Sequence, residues 1–215
     1  MILQKLLAKS PKLEARLELL ELATGLMLFG FLQFHMFAVS SIILGVDAFN
    51  RDSARMDEYY LSYIGIPLII LALLVHGLAA MRKAPWQFQE MRVFVQHSRR
   101  LAHLDTWAWG VQIATGLIVL VLAVIHIAQV LHTWPISAAT SAARIQGGCF
   151  SHFVVLILAA EIHAMVGLYR ILVKWSWIHR KKFTNYLVYA TIGMVGLGFL
   201  TLLVFYFRSI PKGLS

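Results

Sequence analysis

Cysteine is nearly absent from this sequence: Cys149 is the single thiol in 215 residues. One cysteine excludes a disulfide within the chain, a CxxCH site for covalent c-type haem, and a cysteine cluster for zinc or iron–sulfur. The first 20 residues also lack the apolar core of a cleavable signal, because lysine, arginine and glutamate interrupt them throughout. We therefore expect any bound cofactor to be held non-covalently by other side chains.

Charged residues are scarce as well, at 13% of the chain, whereas 60% of the residues are hydrophobic. This composition excludes a soluble globular protein. The apolar runs are long and continuous, as transmembrane helices of about 20 residues require, whereas a membrane β-barrel would have shorter alternating strands. The sequence therefore predicts an all-α, polytopic membrane protein, a bundle of five transmembrane helices that forms a single membrane domain over residues 1–215.

The order of apolar and polar segments predicts where the helices lie. An amphipathic lead-in over residues 10–21 has a proline in its first turn and is expected to lie at the membrane interface. A polar loop follows the first span, and the longest polar connection, residues 82–105, is expected to contain a second interfacial helix after Pro85. The predicted spans cover about residues 22–46, 60–81, 106–132, 148–173 and 183–207.

Basic residues outnumber acidic ones, 19 to 10, which gives a net charge of +9. They lie between the apolar spans rather than along one polar face, so the lipid bilayer is the expected partner and nucleic acid is not. Four lysines and arginines precede the first span, five follow the second and four follow the fourth, whereas the opposite side has five in all. Because cytoplasmic loops carry the excess of lysine and arginine, we predict a cytoplasmic amino terminus and an external carboxyl terminus.

Each of the first four spans carries one histidine well inside its apolar run, and the other histidines lie in loops or at the edges of spans. An imidazole in hydrocarbon is costly unless it is satisfied, so such residues usually line a functional interior. With alternating span directions and about 1.5 Å of rise per residue, the four histidines fall into two depth classes. His76 and His163 lie nearer the cytoplasmic ends of their spans and form a predicted inner pair. His35 and His126 lie further from those ends and form a predicted outer pair.

A short repeat links the two histidines of the outer pair. Ala-Thr-Gly-Leu occurs at residues 23–26 and again at residues 114–117, and its glycine precedes the outer-pair histidine by ten residues in both spans. Equal spacing places both imidazoles at similar depth if the two spans run in the same direction. Because Gly25 and Gly116 lack a side chain, a flat macrocycle or another helix could approach them closely. We therefore predict that both glycines contribute to cofactor binding.

Four histidines sorted into two depths predict two bis-histidine haem sites, with the imidazoles as the iron ligands. Haem with two histidine ligands has no open iron position, which favours electron transfer over oxygen chemistry. Copper or zinc would also bind imidazole, but the carboxylates and thiols that normally complete such sites are missing. Two alternatives stay open: histidines that only pack between helices, and a haem-free channel or transporter that uses them as pore or proton groups.

Three stretches around these histidines resemble a known family. They are residues 35–37 (His-Met-Phe), residues 76–83 (His-Gly-Leu-Ala-Ala-Met-Arg-Lys) and residues 161–175, which contain Glu-Ile-His, Val-Gly-Leu-Tyr-Arg and Val-Lys-Trp. Together they resemble the dihaem cytochrome b anchor of bacterial quinol:fumarate reductases, and the resemblance covers nearly the whole chain. It implies five spans and two haems b, with the inner haem between the second and fourth spans and the outer haem between the first and third.

The resemblance also implies a function and a location. In the bacterial inner membrane, the subunit would oxidise menaquinol and pass electrons to iron–sulfur and flavoprotein subunits docked on the cytoplasmic face, where fumarate is reduced to succinate. The chain itself has no flavin-binding glycine fingerprint and no iron–sulfur cysteines, so it would carry no dicarboxylate site. The reverse direction, as a succinate:quinone reductase, stays open, and so does a dimer of the three-subunit complex.

A haem b subunit that serves another soluble partner is a further alternative. Such a subunit, from a hydrogenase or a formate dehydrogenase, would share the histidines. It should lack the Ala-Thr-Gly-Leu repeat and the motif formed by Glu161 and His163 as they are placed here.

The resemblance assigns roles to further residues. Trp109 and Lys174 match positions that bind the propionates of the inner haem, and an indole N–H and an ammonium group are suitable donors. Arg144 is a candidate for neutralising the propionates of the outer haem. Glu161 matches a glutamate proposed to move protons across the membrane with electron flow. Its alternative role is that of a carboxyl group hydrogen-bonded to a neighbouring helix.

Quinol oxidation also needs a group that accepts protons near the outer haem. The resembled family uses a glutamate after the first span, and counting onward from His35 reaches Asp57, with Glu58 beside it. These two carboxylates are the predicted proton acceptors, with the alternative that they are solvated side chains of the loop.

Overall fold

The computed structural model describes residues 10–85, 87–101, 103–177 and 180–208. Lys5, Lys9 and Lys212, which contribute to the predicted orientation, lie outside these ranges. The described part of the chain forms eight α-helices: α1 Pro11–Ser40, α2 Val46–Glu58, α3 Leu61–Met81, α4 Phe88–Leu101, α5 Leu104–His132, α6 Ala138–Arg144, α7 Phe150–Lys174 and α8 Arg180–Phe207. Short helical turns follow α1 at Ser41–Ile43 and follow α6 at Ile145–Cys149.

Five of these helices, α1, α3, α5, α7 and α8, are long and apolar enough to cross a membrane. Among the described residues there is no β-strand. The all-α membrane fold with five spans, predicted from the sequence, is therefore confirmed. Its physical basis is that lipid offers no partner for backbone N–H and C=O groups, so a continuous apolar run must satisfy them within a helix.

Helix α1 is longer than its span. It begins at Pro11, a residue that favours the first helical turn, and continues without a break to Ser40. The predicted amphipathic lead-in is therefore not a separate interfacial helix but the first turns of the spanning helix. The 30 residues of α1 extend about 45 Å, more than the roughly 30 Å of a hydrocarbon core, so these turns project beyond the apolar layer.

The polar loop predicted between the first two spans is wrong, because residues Val46–Glu58 form α2. Apolar residues recur in this segment at helical spacing, and the apolar face packs inward. Phe49 is 5% exposed and contacts the ring of Phe205 in α8, with centroids 5.4 Å apart. Gly45 has a φ of +139°, a conformation that glycine adopts readily, and lets the chain turn into α2. Helix α2 thus covers one end of the bundle.

The helix predicted after Pro85 is confirmed as α4. Its hydrophobic side packs on the beginning of α5, where the rings of Phe94 and Trp109 meet with centroids 4.6 Å apart. Gly110 makes this approach possible, because a Cβ there would lie 2.9 Å from the Phe94 ring. Two arginines in the last turn of α4, Arg99 and Arg100, are placed favourably for the helix dipole.

The spanning helices pack as two pairs with a gap between them. Helix α1 packs along α3, α5 packs along α7, and α8 lies against both α7 and α1. Helices α3 and α5 scarcely touch. The gap is a cavity of about 1180 Å³, lined mainly by α1, α3, α5 and α7. This volume is slightly larger than the roughly 300–1,000 Å³ of most small-molecule sites.

Ion pairs lie at one end of this cavity, which we call the inner end and define by Arg82, Lys83 and Lys174. The Arg82 side chain is only 3% exposed, and its guanidinium group hydrogen-bonds Glu14 at 3.1 Å and Glu21 at 2.6 Å. Burial alone would lower the pKa of Arg82, but these two carboxylates outweigh burial and raise that pKa. The charged first turns of α1 are therefore tied to the end of α3.

Candidate functional site

One histidine from each of four spanning helices lines the cavity. His76 of α3 and His163 of α7 lie together, with ring centroids 6.4 Å apart and ring planes at 89°. His35 of α1 and His126 of α5 lie together at 6.1 Å and 60°. The four side chains thus group in space as the inner and outer pairs that their depths predicted.

Both spacings match two imidazoles that share one metal ion. A metal–imidazole bond is about 2.0–2.1 Å long, and a ring nitrogen lies roughly 1.1–1.2 Å from the centroid of a five-membered ring with bonds near 1.35 Å. Two imidazoles bound in line to one metal ion would therefore have centroids about 6.2–6.6 Å apart. The 6.4 Å of the inner pair falls within this range, and the 6.1 Å of the outer pair lies at its lower edge. The residues present thus fit a group that needs two axial imidazole ligands.

The imidazoles of the inner pair are held by backbone carbonyls on the facing helices. Nδ1 of His76 lies 3.2 Å from the carbonyl oxygen of Glu21, and Nδ1 of His163 lies 3.1 Å from that of Gln112. A carbonyl only accepts hydrogen bonds, so Nδ1 carries the proton in both rings and Nε2 keeps its lone pair. This is the tautomer that a metal ligand needs, and the carbonyl also fixes the ring orientation.

The Ala-Thr-Gly-Leu repeat supplies the rest of the surroundings of the inner pair. Thr24 Oγ1 lies 3.2 Å from Nδ1 of His76, and Thr115 Oγ1 lies 3.3 Å from Nδ1 of His163. The next residue in each repeat is glycine, and a Cβ on Gly25 would lie 3.1 Å from Cε1 of His76. The repeat precedes the outer-pair histidines in sequence, yet in space it surrounds the inner pair.

The neighbours of the two glycines differ from those predicted. Gly116 faces His163, where a Cβ would lie 2.9 Å from Cε1 and 3.3 Å from Nδ1 of the imidazole. The sequence predicted that the bare backbone at Gly25 and Gly116 admits a macrocycle or a helix, whereas in the structure it admits the side chain of an inner-pair histidine. Both glycines also line the cavity. No sequence pattern indicated this contact, because the repeat and its imidazole partner lie on different helices.

Gln112 contacts His163 a second time through its side chain. Its amide nitrogen lies 3.3 Å from Nε2 of His163, and its Oε1 is buried without a hydrogen-bond partner among the described residues. The amide therefore occupies the coordinating side of this imidazole. A ligand that binds Nε2 of His163 must turn the Gln112 side chain away.

The outer pair has fewer polar contacts than the inner pair. His35 stacks on Phe31, with centroids 5.4 Å apart, and His126 meets Phe153 edge to face at 5.5 Å. Nδ1 of His126 is buried and has no hydrogen-bond partner within the described ranges. A buried polar atom without a partner is costly.

Glu161 is fully buried within the protein, at 0% exposure, and lines the cavity. Gln33 of α1 donates to both of its carboxylate oxygens, at 3.4 and 3.2 Å. Gln33 precedes His35 by two residues, and Glu161 precedes His163 by two residues. This bond therefore connects a helix of the outer pair to a helix of the inner pair. It also provides the hydrogen bond to a neighbouring helix that the alternative role of Glu161 required.

The predicted propionate partners all lie on the cavity wall. Trp109 lies at the inner end, and so does Lys174, whose ammonium group is bound to Glu18 at 2.5 Å and whose side chain is 55% exposed. Arg144 lies near the other end, which we call the outer end, and donates to Thr133 at 2.5 Å and to Ser141 at 3.0 Å. Its Nε is buried without a partner in the described part of the chain.

Asp57 and Glu58 lie near the end of α2 and not on the cavity wall. Both residues belong to a helix rather than to the predicted loop, and Glu58 is exposed. Helix α2 instead presents Asp52 to the cavity, one and a half turns earlier. Asp52 also pairs with Arg55 at 3.6 Å in a solvent-exposed bridge. The count from His35, which carried over a position of the resembled family, reached Asp57 and missed Asp52.

No group of three or more His, Cys, Asp or Glu side chains comes together as a metal site among the described residues. Each histidine pair therefore offers two protein donors. Fold and site together define a helical membrane protein with two histidine pairs on the wall of one apolar cavity.

Comparison with known proteins agrees with this class. The family described as succinate dehydrogenase/fumarate reductase transmembrane subunit matches residues 89–205. A fumarate reductase cytochrome b subunit from Helicobacter pylori is 33% identical over 180 residues, which cover 79% of this chain and 70% of the relative. A fumarate reductase cytochrome b subunit from Wolinella succinogenes is 31% identical over the same length and coverage. The chain belongs to the family of transmembrane cytochrome b anchors of succinate dehydrogenase and fumarate reductase complexes, and the resemblance seen in the sequence is confirmed.

Proposed function

We propose that this chain is the dihaem cytochrome b anchor of a quinol:fumarate reductase, with one haem b at each histidine pair. The observation that carries the proposal is the spacing of both pairs, 6.1 and 6.4 Å, on the wall of one cavity. Bound there, haem would supply one-electron transfer, because two imidazoles leave no open iron position. His76 and His163 would hold the inner haem, and His35 and His126 the outer haem.

The other cavity residues would bind and orient the two haems. Glu21 and Gln112 hold the inner imidazoles through their carbonyls, as described above. Trp109 and Lys174 are proposed partners of the inner propionates, and Arg144 of the outer ones. Cationic and N–H donors give propionate carboxylates charge-assisted hydrogen bonds that are about twice as strong as neutral ones.

We place menaquinol oxidation near the outer end and electron exit at the inner end. The excess of lysine and arginine puts the inner end in the cytoplasm, where α4 and the ion pairs of α1 present a charged surface to iron–sulfur and flavoprotein subunits. Of the carboxylates on α2, Asp52 lies on the cavity wall, so it is better placed than Asp57 or Glu58 to accept a quinol proton. The same residues would serve the reverse reaction, in which succinate is oxidised and quinone is reduced.

A purified complex tests this function directly. We expect preparations from the native membrane to contain this chain with an iron–sulfur subunit and a flavoprotein subunit, two haems b per chain, and quinol-linked fumarate reduction. Haem would be measured by reduced-minus-oxidised spectra and flavin by its fluorescence after release. A pigment-free preparation of the folded chain would refute the haem sites, and a haem-loaded complex without flavin would point to a different soluble partner.

Replacing Glu161 by glutamine should separate proton transfer from haem binding. An amide keeps the shape and can still hydrogen-bond Gln33, so both haems should stay, but it cannot carry a proton. We expect quinol-linked turnover to fall by about tenfold or more, as is common when a proton-transfer group is removed. Turnover with a soluble reductant that feeds the flavoprotein subunit directly should stay unchanged.

The matched control for this experiment is Asp47→Asn, a carboxyl-to-amide change at an exposed position in the first turn of α2. It should alter neither haem content nor turnover. Equal quinol-linked rates in wild type and Glu161→Gln would show that Glu161 serves only to join α7 to α1.

A further inference from the structure

Arg170 is a half-buried cation on the cavity wall that has no role so far. It belongs to α7, and its side chain makes no hydrogen bond or ion pair with any residue in the described ranges. Arginine is always charged, and taking its charge out of water without a counter-ion is costly. We therefore expect a bound anion to compensate the charge of Arg170, because no described residue forms an ion pair with it.

The position of Arg170 relative to the inner pair is set by helix geometry. Arg170 follows His163 by seven residues, so it lies on the same face of α7, about 10 Å nearer the inner end. Trp109 precedes Gly116 by seven residues on α5, and Gly116 contacts the same imidazole. Lys83, two residues beyond the end of α3, follows His76 by seven residues. Arg170, Trp109 and Lys83 thus each lie seven residues along the chain from a residue of the inner site, and all three line the cavity.

The other cations at this level already have carboxylate partners. Lys83 pairs with Glu21 at 2.9 Å and with Glu18 at 3.6 Å. Lys174, four residues beyond Arg170, pairs with Glu18 at 2.5 Å. These pairs compensate the charges of the two lysines, whereas the charge of Arg170 has no such partner among the described residues.

The acidic groups near Arg170 are already engaged elsewhere. Its acidic neighbours are Glu21 and Asp105. Glu21 binds Arg82 at 2.6 Å, and Asp105 accepts a hydrogen bond from the hydroxyl of Tyr169 at 2.9 Å. Neither carboxylate forms an ion pair with Arg170. Arg170 is also among the residues that line the cavity.

We propose that Arg170 binds a propionate carboxylate of the inner haem and is the principal cation of that site. The proposal rests on the proposed function, because it requires haem between His76 and His163. A guanidinium group can give a carboxylate two parallel hydrogen bonds, which an ammonium group cannot. Lys174 then serves mainly to hold Glu18 and the first turns of α1.

The test compares Arg170→Gln with Lys174→Gln in the intact complex. Loss of hydrogen bonds to a charged group should speed the transfer of the inner haem to excess apomyoglobin by roughly 10- to 150-fold. Removing a nearby positive charge also favours the oxidised haem, so the midpoint potential of the inner haem should fall in Arg170→Gln while that of the outer haem stays constant. Lys174→Gln should show a smaller change in both quantities.

The outcomes show whether Arg170 or Lys174 is the principal cation at the inner haem site. Wild-type rates and potentials in Arg170→Gln, or a larger change in Lys174→Gln, would overturn the assignment of Arg170 while leaving the dihaem anchor intact. A wild-type complex without haem would instead overturn the proposed function. Retention of the outer haem shows that a variant is folded. If Arg170→Gln does not fold, Arg170→Lys decides, since a lysine that retained the inner haem as tightly as wild type would exclude paired hydrogen bonding by Arg170.

Discussion

Replacing His76 or His163 by alanine is expected to remove the inner haem and leave the outer haem in place. Each variant deletes one of two axial ligands, and the two sites use different side chains on different helices. Haem content per chain should therefore fall by about half, because a single remaining imidazole does not hold a bis-histidine haem. Pyridine haemochrome assays measure the content, and low-temperature spectra identify which haem remains.

His132→Ala is the matched control for this experiment. His132 lies at the exposed end of α5, six residues beyond His126, and outside the cavity wall. It should keep both haems. Full haem content in both His76→Ala and His163→Ala would contradict the pairing, and loss of both haems from either one would mean that the two sites do not form independently.

Gly116→Ala should weaken the inner haem site without removing any ligand. The new Cβ would lie 2.9 Å from Cε1 of His163, closer than real Cβ contacts, so the imidazole must shift away from its position opposite His76. Overpacking of this kind costs about 1–3 kcal/mol, which corresponds to roughly 5- to 150-fold weaker binding if the cost falls on the bound state. Haem transfer to apomyoglobin measures the change, and Gly25→Ala, with a looser 3.1 Å contact, should show a smaller one.

Gly30→Ala separates this effect from a general effect of alanine in a spanning helix. Gly30 lies in α1, five residues after Gly25, and a Cβ there meets nothing within 4 Å. Alanine is the better helix former of the two residues, so the bundle itself should not suffer. We expect Gly30→Ala to bind both haems as wild type does. Equal haem loss from Gly30→Ala and Gly116→Ala would rule out the imidazole contact as the cause.

The fold could be predicted from the sequence because few backbone conformations are stable in lipid. Long apolar runs must become helices, and the rise of a helix converts residue numbers into depths. Depth predicted the pairing of His76 with His163 and of His35 with His126, and the Ala-Thr-Gly-Leu repeat supported the second pairing. The prediction of a loop where the structure has α2 was wrong for a physical reason. The charges on the exposed face of α2 suggested a loop, whereas Phe49 and its apolar neighbours form the face that packs on α8.

Contacts across helices could not be predicted in the same way. Helical spacing tells which residues of one helix share a face, but the rotation of that helix against its neighbours depends on packing. The approach of Gly116 to His163 and the bond from Gln33 to Glu161 both depend on this rotation. So does the unpaired state of Arg170, since nothing in its sequence shows that Glu21 is already taken by Arg82 and Lys83.

The pairing of alternate helices has a consequence for biogenesis. His35 meets His126 and His76 meets His163, so neither pair joins two consecutive spans. As the chain leaves the ribosome, the outer pair is complete once α5 has entered the bilayer, whereas the inner pair must wait for α7. A nascent subunit therefore passes through a stage with one complete histidine pair and one incomplete pair. The order of the helices along the chain thus sets the order in which the two histidine pairs are completed.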